Sequence, residues 1–254
     1  MIRAFNVVLR IADRELLTAL TFAIQPGEFV AILGPNGVGK TTLLRAVAGM
    51  HKLSAGTLEV NARPIDAYAP LERAREIALM VSEDLELESM SVRDAVAAGR
   101  YAHHDWWDWR EHDSDESAIE RALQAVHMSD FASRDFQTLS TGERQRVWLA
   151  VGLAQEAPVL LLDEPTSHLD IRHSREILNL LKVQASAGKT IACVLHDINE
   201  ALEFADRIMV LGNGTMLALD APPVVVANGA LNTSYGIAFG AMQTAEGTLR
   251  AFPS

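Results

Sequence analysis

Only one of the 254 residues is cysteine, so the chain cannot close an intrachain disulfide. That residue, Cys193, lies in the apolar run Ile191-Ala192-Cys193-Val194-Leu195 and reads as a buried structural thiol in a reducing compartment, not a nucleophile. No apolar stretch approaches the ~20 residues needed to cross a bilayer. The start, Met1-Ile2-Arg3-Ala4-Phe5-Asn6, lacks the apolar core of a signal peptide, so the expectation is a soluble, cytoplasmic protein. Positive charge is scarce as well. With 22 Lys and Arg against 33 Asp and Glu, the net charge is −11, which argues against nucleic acid as a partner, since phosphate backbones need clustered basic residues. No internal repeat is present. Core material, by contrast, is ample: 49% of residues are hydrophobic and 22% charged, enough for one large α/β domain or for a core with a small second lobe.

The chain is organised around Gly34-Pro35-Asn36-Gly37-Val38-Gly39-Lys40-Thr41-Thr42, which fits the phosphate-loop pattern G-x-x-x-x-G-K-[ST] at every fixed position. Its glycines let successive N–H groups turn inward around a polyphosphate. Lys40 adds a mobile positive charge for the outer phosphates, and the Thr41 hydroxyl can ligate Mg²⁺. Phe29-Val30-Ala31-Ile32-Leu33 before it reads as a buried parallel strand. Leu43, Leu44, Val47 and Ala48 after it recur at helical spacing, with Gly49 as a stop. Phosphates would then sit on a helix N-terminus, where free N–H groups and the dipole favour negative charge. The expected ligand is a nucleoside triphosphate.

Around this motif, residues 1 to 33 read as strands joined by turns, and Gly56 to Val60 as a further short strand. Leu71 to Glu76 reads as helix, leading into Ile77-Ala78-Leu79-Met80-Val81. From Ser82 to about Thr138 acidic residues crowd in and no strand-like run occurs. Val92, Ala95, Val96 and Ala97 predict one helix, ending near Gly99. Ile119, Leu123 and Val126 predict another, with Asp113 and Glu116 spaced as a capping box. This stretch reads as a helical lobe inserted into the core. Its His103-His104-Asp105-Trp106-Trp107-Asp108-Trp109 segment has no recognised ligand spacing and reads as a solvated loop whose tryptophans serve either a contact surface or local packing.

Leu139-Ser140-Thr141-Gly142-Glu143 opens a helix: Ser140 and Glu143 form a capping box ahead of the stripe Val147, Ala150, Val151 and Ala154. The same helix tip, with Gly142 giving backbone access, can bind an anion. Val159-Leu160-Leu161-Leu162 then reads as a buried strand ending in Asp163-Glu164. Two carboxylates at such an end are costly unless they act, the first on Mg²⁺ and the second on an attacking water. The Cys193 strand ends at His196. Ligands of parallel sheets bind beyond the carboxyl ends of the strands, so Lys40, Asp163, Glu164 and His196 can converge. A hairpin at Arg207–Leu211 and Thr215–Leu219 follows. The tail after Pro222-Pro223 carries no motif.

The phosphate loop, helical insert, Ser140–Glu143 segment, Asp163-Glu164 pair and His196, in that order and spacing, resemble an ATP-binding-cassette ATPase subunit over roughly residues 1 to 220. Within the family, Gly99-Arg100, the tryptophan-bearing loop, Thr166-Ser167-His168-Leu169-Asp170 and Leu195-His196-Asp197 are similar to ATPases of bacterial importers for iron–siderophore complexes, haem and cobalamin. The resemblance implies an α/β phosphate-loop ATPase fold with a mainly parallel sheet, an N-terminal antiparallel β-subdomain and an inserted α-helical subdomain. It places the core at 1–82 and 139–222, the insert at 83–138 and a tail at 223–254.

It further implies a head-to-tail dimer that holds ATP between the phosphate loop of one copy and the Ser140–Gly142 segment of the other. Lys40 and the backbone of 37 to 42 would hold phosphates, Thr41 and Asp163 would serve Mg²⁺, and Ser140 and Gly142 would reach the partner's γ-phosphate. Glu164 would act as base or water-orienting group, His196 would contact the γ-phosphate, and Asp170 would couple the two sites. Membrane-spanning permease subunits would dock on the helical insert at the cytoplasmic face of the inner membrane, with a periplasmic or extracellular binding protein engaged indirectly. Three positions depart from the family pattern. Ser82 stands where a metal-contacting glutamine is usual, Ile11 where an adenine-stacking aromatic is usual, and Thr141 and Glu143 vary the signature. A soluble assembly ATPase and a regulatory cassette with weak hydrolysis are the competing expectations.

Overall fold

The computed structural model describes residues 1–81, 90–103, 113–167, 169–244 and 247–253. The expectations for Ser82, for the tryptophans at 106, 107 and 109, and for His168 lie outside them.

The chain begins with β1 (Ile2–Ile11) and β2 (Arg14–Ile24), then the wholly buried β3 (Phe29–Leu33). Next come α1 (Lys40–Val47), β4 (Ala55–Val60), β5 (Arg63–Pro64), α2 (Pro70–Glu76) and β6 (Ile77–Met80). Helices α3 (Val92–Ala97) and α4 (Asp113–Ala125) separate β6 from α5 (Thr141–Ala154). Then β7 (Val159–Asp163), α6 (Ile171–Ser186), β8 (Thr190–Val194) and α7 (Ile198–Phe204) alternate. The hairpin strands β9 (Arg207–Gly212) and β10 (Thr215–Asp220) follow. The segment without a sequence motif also folds, as α8 (Pro222–Ala227), α9 (Ala230–Tyr235), β11 (Phe239–Gln243) and β12 (Leu249–Pro253).

Among the described residues the strands make three sheets. The largest has the order β10-β9-β3-β8-β7-β6, all parallel except the antiparallel edge strand β10. An antiparallel sheet, β2-β1-β4-β5, and the β11–β12 hairpin complete the set. Strand periodicity decides the two cores. Phe29, Ala31 and Leu33 face one hydrophobic cluster with Leu160, Leu162, Ile191 and Cys193, built against α3 to α9. Val30 and Ile32 face the other, with Leu161, Val194, Met209 and the apolar residues of α1 and the antiparallel sheet. Both faces are covered, which is why these strands are continuously apolar instead of alternating. Each such Leu, Ile or Val contributes about 1.5–3 kcal/mol by leaving water.

Among the described residues between β6 and α5, the buried charged side chains are Arg100 and Asp115. Arg100 is 5% exposed and donates to Asp115 (2.7 Å), to the Ala154 carbonyl (2.7 Å) and to Glu156 (2.8 Å). Asp115 is itself buried, so the pair ties α4 to the end of α5. Helix α3 gives way at Ala98 to a tighter 3-10 turn running to His103. His103 Nε2 lies 2.8 Å from the Gln155 carbonyl, a packing contact.

Candidate active site

Three neighbouring strands deliver the site. The order β3-β8-β7 puts the loops after Leu33, Val194 and Asp163 side by side at the carboxyl edge of the parallel sheet. The sheet topology thereby brings Lys40, Asp163, Glu164 and His196 to one edge.

After β3, Gly34 and Gly39 adopt φ of 151° and 112°, conformations that side chains resist. A Cβ on Gly34 would also sit 2.6 Å from the Leu211 carbonyl oxygen. With this turn made, α1 starts at Lys40, and its first N–H groups have no side-chain cap, as an anion-accepting helix end requires. Lys40 is only 6% exposed and folds back so that Nζ donates to the carbonyls of Gly34 (2.7 Å) and Pro35 (3.2 Å). Burial lowers its pKa, opposed by the nearby Glu164 and Asp163 carboxylates.

Thr41 and Asp163 are joined directly: the threonine hydroxyl donates to Oδ2 at 2.6 Å. Asp163 is 7% exposed, and burial holds its carboxyl above the usual range, offset in part by the Thr41 bond. A hydroxyl and a carboxylate oxygen this close are the hard donors Mg²⁺ selects, with nucleotide phosphates completing the shell. The pair fits that ion. Among the described residues no cluster of three or more His, Cys, Asp or Glu could hold a metal unaided.

Glu164 is the strained residue of the site. Its φ is 55°, in the left-handed region, and its N–H donates to the Val194 carbonyl at 3.2 Å. Such a conformation costs on the order of 1–3 kcal/mol and persists only where surroundings enforce it. The consequence is aim: Oε1 lies 2.6 Å from His196 Nε2. Both side chains stay accessible, at 30% and 49% exposure, so a water or phosphate can reach them.

Residues 17–167 match the ABC transporter family model. The chain belongs to that family. ATP binding and hydrolysis come with membership. The ferric enterobactin transport ATP-binding protein FepC of Escherichia coli (strain K12) is 39% identical over 220 residues, 86% of this chain and 80% of that protein. The hemin import ATP-binding protein HmuV of Nocardia farcinica (strain IFM 10152) is 40% identical over 213 residues, 84% and 73% of the two chains. Among solved structures, an ABC transporter in an inward-facing conformation matches with TM-score 0.86 at 25% identity, covering all of this chain and 97% of the other. The dimeric, post-hydrolysis cassette MJ0796 bound to ADP and Pi matches with TM-score 0.76 at 25% identity, over 87% and 99%.

In this ABC subunit Ser140 and Gly142 open onto a groove whose lining includes no phosphate-loop residue. Ser140 caps α5: its hydroxyl and N–H bond Glu143 Oε2, each at 2.7 Å, and those bonds hold the Glu143 carboxyl below its usual range. Ser140 and Gly142 line an open groove of about 400 Å³ with His127, Phe131, Leu169 and Asp170. Asp170 caps α6 by accepting the His173 N–H at 2.9 Å, and Oδ2 lies 2.9 Å from His173 Nδ1. Ile11, by contrast, is 54% exposed at the end of β1.

Several site contacts have no sequence motif. The Gln145 amide donates to the Pro165 carbonyl (3.2 Å), linking α5 to the residue after Glu164. Thr166 Oγ1 donates to Glu200 of α7 at 3.1 Å. Most distant in sequence, the Gly34 N–H donates to the Tyr235 hydroxyl at 3.1 Å. A separation of 201 residues leaves no local pattern by which that last partner could be found.

Proposed function

We propose that this chain is the ATP-hydrolysing subunit of a bacterial importer, powering uptake of an iron–siderophore, haem or cobalamin-type chelate through separate permease subunits. The observation that carries the reading is the convergence of Lys40, the Thr41–Asp163 pair and the Glu164–His196 pair at the ends of β3, β7 and β8. Relatives named for enterobactin and hemin transport support the substrate class.

In this reading the loop amides of residues 37 to 42 and Lys40 Nζ bind the β- and γ-phosphates. Thr41 and Asp163 hold Mg²⁺, which when bound supplies neutralisation of the charge that grows on the transferred phosphoryl oxygens. Glu164 Oε1 accepts a hydrogen bond from the attacking water and orients it in line with the γ-phosphate. Once a triphosphate is bound, the His196 Nε2–H that faces Glu164 Oε1 turns to a γ-phosphate oxygen, which leaves that carboxylate oxygen free for the water.

Ser140 and Gly142 lie in their own groove, so they serve the triphosphate of a second copy arranged head to tail, with Asp170 at the seam between copies. A MJ0796 cassette structure is dimeric, in keeping with this arrangement. Among the described residues no helix is long and apolar enough to cross a membrane. Relatives named as import ATP-binding proteins support a translocation path made by partner subunits. Those partners dock on the insert between residues 83 and 138, which carries α3 and α4, on the cytoplasmic face of the inner membrane, and a binding protein acts from the far side.

The test is reconstitution with the iron-chelate permease subunits of the same organism. ATP-dependent uptake of a labelled chelate, with ATPase activity raised by permease and binding protein, is the expected result. A chain that stays with soluble partners and hydrolyses ATP at one rate regardless of permease would overturn the assignment.

A further inference from the structure

The tail reaches the nucleotide site at two places. At the first, both polar backbone groups of Gly34 are occupied: its carbonyl accepts from Lys40 Nζ at 2.7 Å, and its N–H donates to the Tyr235 hydroxyl at 3.1 Å. Helix α9 can come this close because Gly212 lacks a side chain; a Cβ there would lie 3.0 Å from Ser234 Cα. Ser234 Oγ then donates to the Leu211 carbonyl at 2.7 Å, the same oxygen that abuts Gly34. The Tyr235 ring is braced edge-on by Phe239, with centroids 5.9 Å apart. Burial raises the pKa of its phenol, so the hydroxyl stays protonated at neutral pH.

At the second place, Asn199 of α7 exchanges two hydrogen bonds with Ala251 of β12, at 2.9 and 3.2 Å. One turn further along α7, Glu203 pairs with Arg250 of β12 at 2.7 Å. Helix α7 begins two residues after His196. Helix α9 and strand β12 thus bracket the site, one on the phosphate loop and one on the helix behind the histidine.

We infer that the C-terminal segment positions the nucleotide site, and that Tyr235 is the residue through which it holds the first turn of the phosphate loop in its phosphate-receiving shape. This rests on the ATPase reading above. The physical content is preorganisation: a loop already held by Tyr235 loses less freedom when a triphosphate binds. The hydroxyl bonds a backbone amide on the loop and not the reacting atoms, so its effect falls on affinity and not on the chemical step.

Tyr235→Phe in the full chain removes the hydroxyl and keeps the ring against Phe239. The expected result is a Kd for a non-hydrolysable ATP analogue, and a KM for ATP, each raised roughly fivefold, with kcat at saturating ATP within twofold of wild type. Hydrogen exchange at the Gly34 amide, measured without nucleotide, should quicken in the variant. A hydroxyl that served the fold alone would lower the melting temperature and leave KM where it was. Unchanged Kd and KM, or unchanged Gly34 exchange, overturns the inference. Wild-type protein that binds no triphosphate would instead overturn the ATPase reading, and this inference with it.

Discussion

Glu164 and His196 end neighbouring strands and meet across 2.6 Å, Oε1 to Nε2, although Glu164 must hold a left-handed backbone to do so. A contact kept at the expense of backbone strain is the ground for proposing these two as a working pair. His196→Ala should therefore reduce steady-state ATP hydrolysis by roughly 10²-fold, the scale of losing one preorganised donor, while ATP affinity changes little. Turnover within twofold of wild type would remove His196 from the mechanism.

Lys40 hides its ammonium against two loop carbonyls, within the field of Asp163 and Glu164. A triphosphate gives that charge a stronger partner. Lys40→Ala should weaken ATP binding by at least tenfold in isothermal titration, about 1.4 kcal/mol or more. Equal affinity in the variant would detach Lys40 from the phosphates.

Burial ties the ionisation of Asp163 to stability. Its carboxyl is held above the usual range by burial, so the folded chain binds a proton more readily than the unfolded one. The ionised carboxylate then lowers stability above the folded pKa, and this cost disappears as pH falls through that value. Nucleotide-free Asp163→Asn should melt above wild type at pH 7, by about 2–4 °C for each kcal/mol relieved. The gap should close on acidification, and Mg²⁺ should no longer strengthen ATP binding. Equal melting at pH 7, or a gap that widens toward acid, would contradict the burial argument.

Arg100 has a structural task. Arg100→Ala would leave the buried Asp115 carboxylate without its guanidinium and the Ala154 carbonyl without its donor. A loss of about 3–5 kcal/mol is expected in urea unfolding. A loss below ~1 kcal/mol would mean that water replaces the side chain.

The parallel sheet was legible because its strands are buried on both faces. Phe29–Leu33, Val159–Asp163 and Thr190–Val194 are continuous apolar runs whose ends carry the chemistry. The Ser140–Glu143 box was legible because capping is local, spanning three residues. The tail was not. Helix α9 is six residues long between two glycines, and the partners of Tyr235 and Ala251 lie 201 and 52 residues away. The contacts of Gln145 and Thr166 escaped for the same reason: their partners are a backbone carbonyl and a distant helix, and neither leaves a periodic trace.

In the proposed cycle two copies close over two triphosphates and reopen when these are hydrolysed. Glu164→Gln keeps the hydrogen-bonding shape and removes the carboxylate proposed to orient water. Analytical ultracentrifugation of this variant with Mg²⁺ and ATP decides whether that closure occurs. A stable dimer at twice the chain mass is expected, with hydrolysis reduced by ~10²–10⁴-fold, reverting to monomer when Ser140→Arg is added. A variant that stays monomeric at saturating ATP, or hydrolyses it at the wild-type rate, would contradict it.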